Sequence, residues 1–225
     1  MSGFFSLEGG LFSAMGKIFD IMFVSLLWLV FSLPIVTIGA STTALYYTTA
    51  KVIRRERGYL FGEFWRSFKE NLLSGVIYSV IIIAICLLFY FNFQVINKVD
   101  STITTILFYV YWVMMYLVFS CVVYLFPVLS RFNLKRVEMV KMSLLLSMKH
   151  LPNTLMVQLW VVIGGVLIIF IPLTTCFVPA LVALFCSFSL EKVFRLYMPK
   201  PEKKYDEDGN EIEEVEDRSE WYMTF

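Results

Sequence analysis

The sequence predicts an all-α fold: a polytopic helical membrane protein of about six transmembrane helices, with two amphipathic helices on its cytoplasmic surface. Three observations lead there. Of the 225 residues, 59% are hydrophobic and 17% aromatic, against about 45–50% apolar in soluble domains. Residues 72–96, 101–130 and 151–190 contain no charged side chain, and about 18 such residues suffice to cross a bilayer core of roughly 30 Å. Basic residues also alternate in position, crowding every second connection.

The N-terminal region sets the span count. From Ser13 to Ile53 the chain is long enough for about 60 Å of helix, twice a bilayer core. Two spans fit if Ser13–Leu33 goes out, residues 34–39 turn, and Ala40–Arg55 returns. Pro34 breaks a helix interior, Gly39 tolerates turn conformations and Ser41 suits a cap. The other reading is one proline-kinked span, giving five helices and an external N-terminus. The hairpin is preferred because one span leaves "STTALYYTTA" unaccounted for along the interface.

Four further spans follow at about 73–96, 102–129, 153–172 and 176–196. Apolar helices are expected because backbone groups in lipid must be satisfied within each segment. The last two are joined by "IPLTTCFVP", bracketed by Pro172 and Pro179. Six basic residues (Lys51, Arg54, Arg55, Arg57, Arg66, Lys69) lie at 51–71 and five (Arg131, Lys135, Arg136, Lys141, Lys149) at 131–150. The alternate connections hold only Lys98. Both basic segments and the C-terminus are therefore expected inside the cell.

Each basic segment carries an amphipathic pattern expected to lie on the membrane surface. Phe61, Phe64, Trp65, Phe68 and Leu72 share helical spacing in the first, and Val137, Val140, Leu144, Met148 and Leu151 in the second. "FKENLLSG" at 68–75 aligns loosely with "MKHLPNTL" at 148–155, suggesting a unit repeated after about 80 residues.

The charge divides the chain into residues 1–198, the membrane body, and 199–225, an acidic cytoplasmic tail. Through Met198 there are 15 Lys and Arg against 8 Asp and Glu, or +7; beyond it 4 against 10, or −6. The tail is expected to be disordered or a small hairpin about Asp208-Gly209. Asp206, Asp208 and Asn210 resemble the start of a calcium loop, but its glycine falls at 209 instead of 211. No signal peptide is expected, because the first sixteen residues lack Lys and Arg. Cys86, Cys121, Cys176 and Cys186 lie in or beside apolar spans and read as packing residues.

Chemistry inside a membrane usually needs ionisable groups in the spans, and few appear. Lys17 and Asp20 lie one turn apart near the start of the first span. Glu191 and Lys192 sit at the inner end of the last. His150, the only histidine, precedes Pro152 and reads as interfacial, which excludes a histidine-cluster zinc site and disfavours a catalytic triad. Gly164-Gly165 suits close helix packing, and no phosphate-cradling loop appears. No catalytic, cofactor-binding or metal residue is assigned, no cofactor is expected, and the protein reads as no enzyme.

Two candidate sites remain. Thr42, Tyr46 and Thr49 share a helix face able to line a polar cavity, or else bond to their own or neighbouring helices. Phe64, Trp65 and Phe68 form either a docking face for a second membrane protein or an anchor in the lipid interface.

"LWLVFSLPIVTIGASTTALYY", followed by the basic run, "FGEFWRSFKENL" and "SLLLSMKHLPNTL", resembles the YesL-like family of uncharacterised bacterial integral membrane proteins. The likeness covers roughly residues 10–198 and excludes the acidic tail. It implies a cell-membrane protein of Gram-positive type whose genes often neighbour carbohydrate uptake transporters and sensor-regulator pairs. No activity or catalytic residue comes with it.

Together these readings lead to an expected function: a non-catalytic membrane protein, an accessory or partner of carbohydrate ABC-type uptake or its sensing, contacting a permease or sensor. The alternative is a small-solute transporter or channel for a sugar or oligosaccharide. Membrane lipid is an expected partner, and nucleic acid is not.

Overall fold

The computed structural model describes residues 4–54, 58–96, 102–198 and 223–224, with side chains described at 15–54, 58–94 and 104–198. The chain is all-α, as the sequence predicts. Seven helices are described: α1 Phe4–Phe31, α2 Ile38–Thr48, α3 Leu60–Ile96, α4 Thr102–Arg131, α5 Arg136–Lys149, α6 Leu151–Phe170 and α7 Val178–Phe194. Among them, α3, α4 and α6 are long and apolar enough to cross a bilayer.

The N-terminal region folds back on itself. Helix α1 ends at Phe31 and Pro34 is extended, with a 3-10 turn at Ile35–Thr37 before α2. Across this turn Trp28 Nε1 donates to Thr42 Oγ1 at 3.2 Å, and Ser32 Oγ to Ser41 Oγ at 3.1 Å. Two details differ from expectation. Gly39 lies within α2 instead of in the turn. Ser41 caps no N–H group, because its hydroxyl donates to the carbonyls of Thr37 and Phe31 at 2.8 and 3.1 Å.

Helix α2 occupies the centre. From Gly39 to Thr48 every residue but Thr42 is buried. Such burial requires close backbone approach, which two glycines supply. A Cβ on Gly75 would lie 2.5 Å from the Ala40 nitrogen, and one on Gly39 would lie 2.6 Å from the Gly75 carbonyl oxygen. This is small-residue packing of the kind that brings helices together without a hydrophobic driving force.

Helix starts leave N–H groups without partners inside the helix, and here neighbouring helices supply them. Ser79 Oγ of α3 accepts from the Gly39 N–H at 2.8 Å, and Ser25 Oγ of α1 accepts from the Ala180 N–H at 3.1 Å. Helices α2 and α7 thus begin on serines borrowed from α3 and α1. The second bond also sets the C-terminal part of α1 beside the start of α7.

One surface-helix expectation needs correction. Residues 61–72 form no separate helix: α3 runs unbroken for 37 residues, or about 55 Å. The second amphipathic segment, α5, does stand apart, ending at His150 with φ −117° and ψ 52°. The two aligned segments explain the difference. Leu72 lets the helix continue, whereas the aligned Pro152 lacks the N–H an interior position needs and sits in the first turn of α6.

The outer parts of α3 and α4 pack on each other through aromatic contacts. Phe89 meets Tyr111 edge-on at 5.7 Å between centroids, and Phe93 lies 5.9 Å from Phe108. Around them Leu88, Phe91, Tyr109, Trp112 and Val113 are exposed, an apolar surface suited to lipid or to other membrane helices. The four cysteines are unpaired.

Residues 199–222, including the Asp208-Gly209 turn and the calcium-like segment, lie outside the described residues. Beyond them Met223–Thr224 forms a short parallel pairing with Phe132–Asn133.

Candidate functional site

The described interior is more charged than the sequence suggests, and its charges meet around one end of α2. A five-residue π-turn, Thr49–Ile53, continues this helix, placing Lys51 and then Arg54 against the neighbouring helices. Such turns recur at functional positions because they re-aim side chains by one residue.

On one side Lys51, only 8% exposed, pairs with Glu63 of α3 at 2.8 Å. Tyr47 closes a triangle: its hydroxyl accepts from Lys51 Nζ at 3.0 Å and donates to Glu63 Oε2 at 3.2 Å. The next residue back faces elsewhere, as a helix turns about 100° per residue. Tyr46 donates to Glu191 Oε1 of α7 at 3.4 Å, while Arg131, closing α4, holds Glu191 Oε2 at 2.7 Å. That second pair is nearly dry, with side chains 4% and 1% exposed. Arg54 adds a third tie, donating to the Ser187 carbonyl at 2.8 Å with its guanidinium over the Phe188 ring at 4.6 Å.

Neighbouring tyrosines on α2 therefore serve two ion pairs, which bind α2 with its π-turn to α3 and α4 to α7. Sequence reasoning placed Arg131 in a loop and Glu191 at a helix end, and so missed the pair. The signal was present: Arg131 immediately follows the uncharged run 101–130, and Glu191 immediately follows 151–190. Two apolar runs end in opposite charges.

The predicted cavity residues are engaged with the protein. Thr42 accepts from Trp28, Tyr46 binds Glu191, and Thr49 donates to the Leu45 carbonyl of its own helix at 2.7 Å. They share a face by spacing but serve three different partners. The predicted docking face is largely covered from within. Phe31 of α1 sits 5.7, 5.4 and 4.9 Å from the rings of Phe64, Trp65 and Phe68, and Phe64 is fully buried. Phe64 and Phe68 are buried there and Trp65 is partly buried, so α1 covers most of the face that the sequence leaves to a docking partner or to the lipid interface.

A second polar layer links α4 to α6. Thr154 Oγ1 donates to the Tyr124 hydroxyl at 3.1 Å, and Gln158 Nε2 to Ser120 Oγ at 2.7 Å. His150 lies within 3.2 Å of the Tyr197 hydroxyl through Nε2. Of the two central glycines only Gly164 makes a close approach, against Val182, while Gly165 faces open space.

Such an arrangement locks helices together. Each carboxylate at its centre faces a cation and a phenol, and among the described residues no group of His, Cys, Asp and Glu is placed to hold a metal ion.

Residues 21–93 match the family model described as a protein of unknown function, DUF624. That segment contains α2, the π-turn and Glu63, and its match is consistent with the family the sequence resembles. The chain matches no curated protein and no solved structure.

Proposed function

We propose that this chain is a non-catalytic integral membrane protein acting by contact, as an accessory or partner component of carbohydrate ABC-type uptake or of its sensing. The supporting observation is how the interior charges are used. Lys51, Glu63, Arg131 and Glu191 each contact a neighbouring helix, consistent with a rigid scaffold. The broad apolar surface of α3 and α4 offers area for a second membrane protein. The link to carbohydrate comes from the family resemblance.

Six spans are proposed, formed by α1, α2 with its π-turn, α3, α4, α6 and α7. Both termini and both basic segments then face the cytoplasm of a multi-pass cell-membrane protein. The reversal at Pro34 supports this count, since Trp28 and Ser32 of α1 bond back to Thr42 and Ser41 of α2. The alternative, a small-solute transporter lined by Thr42, Tyr46 and Thr49, draws less support because all three hydroxyls are occupied.

Affinity purification from native membranes tests the partner reading. A transporter permease or sensor component should be enriched over a control membrane protein. Enrichment of none, together with sugar flux in vesicles containing only this protein, would favour transport instead.

A further inference from the structure

Helix α5 borders a groove of about 580 Å³, a size typical of small-ligand sites. Its lining is largely apolar: Leu134, Met142, Leu145 and the buried Leu146, with Tyr197 at one end. Two exposed lysines rise from this lining. Lys141 and Lys149 stand two turns, or about 12 Å, apart along the helix axis, with Leu145 midway. Lys149 lies over the Tyr197 ring at 5.2 Å, which fixes one end. Glu138 also lines the groove, one turn before Lys141, and turns an anion away from the opposite end.

An acyl chain on an apolar floor with a phosphate between two lysines satisfies both parts of this lining. We propose that the groove along α5 binds one anionic phospholipid, its headgroup seated between Lys141 and Lys149 and an acyl chain over Leu145 and Leu146. The surroundings fit that occupant. Val137, Leu144 and Met148 are exposed on the same helix, as on amphipathic helices lying in the lipid interface. A basic pocket beside membrane helices is a recurrent recognition site for anionic headgroups. A soluble anion would leave the apolar floor unfilled.

The test uses the full chain in detergent, offered equal amounts of phosphatidylglycerol and phosphatidylcholine, with bound lipid read by native mass spectrometry. Phosphatidylglycerol should be retained preferentially. Lys141→Gln and Lys149→Gln should each weaken retention about fivefold, the worth of one lysine near an anionic surface. Lys192→Gln, at an exposed lysine closing α7, should leave it unchanged. Equal retention of both lipids, or no loss in either groove variant, would overturn the proposal, as would displacement of the lipid by inorganic phosphate. Binding that appears only when Glu211, Glu213, Glu214, Glu216 and Asp217 are changed to their amides would assign the groove to the chain's own acidic segment and also overturn it.

Discussion

Arg131 and Glu191 illustrate why a buried charge is legible only in part. A sequence shows that each closes an apolar run. It cannot show that helices 60 residues apart in the chain place the two side chains 2.7 Å from each other. Removing one partner leaves the other charged in a dry site, a loss of about 3–5 kcal/mol, whereas replacing both with apolar groups of similar volume is often neutral. Glu191→Gln should therefore lower the unfolding midpoint of the solubilised protein sharply. Arg131→Met combined with Glu191→Leu should recover most of the loss. Equal stability of the single variant and the parent would show that the pair carries no weight. At this scale sequence reasoning did best with hydroxyls: bonding of Thr42, Tyr46 and Thr49 to neighbouring groups was one of its two readings.

Among elements, helix positions were legible because they depend on uncharged runs and breakers. The four later apolar helices fall within a few residues of α4, α6, α7 and the apolar part of α3, of which α3, α4 and α6 are long and apolar enough to cross a bilayer. The reversal at Pro34 was legible for the same reason. Less so was the fate of amphipathic faces, since a stripe such as Phe64–Trp65–Phe68 reads alike whether covered by lipid, a partner or the chain's own α1. Close approach is decided at this scale too. Gly75→Ala should cost about 1–3 kcal/mol by overpacking against the backbone of Ala40. Gly165→Ala, which meets nothing within 4 Å, should be neutral or stabilising by up to about 1 kcal/mol, because glycine weakens helices. Ser79→Ala, which strips the N–H of Gly39 of its acceptor, should cost about 1 kcal/mol. Denaturant titration of the three variants separates these cases, and a common value for all would contradict the α2–α3 contact.

For the whole molecule, the proposed topology follows from the basic residues, and packing adds the hairpin that the count depends on. In a background lacking the four native cysteines, Lys98→Cys should react with an impermeant thiol reagent applied to intact cells. Ser2→Cys and Lys135→Cys should be protected. Labelling at Ser2→Cys would return the N-terminus to the outside and reduce the count to five.

The central claim is that the protein works by touching another membrane protein, and photo-crosslinking in native membranes tests it most directly. With a photoreactive phenylalanine in place of Phe91 or Trp112, on the exposed apolar surface of α3 and α4, irradiation should yield a discrete protein adduct containing a transporter or sensor subunit. Adducts with lipid alone at both positions would contradict the account.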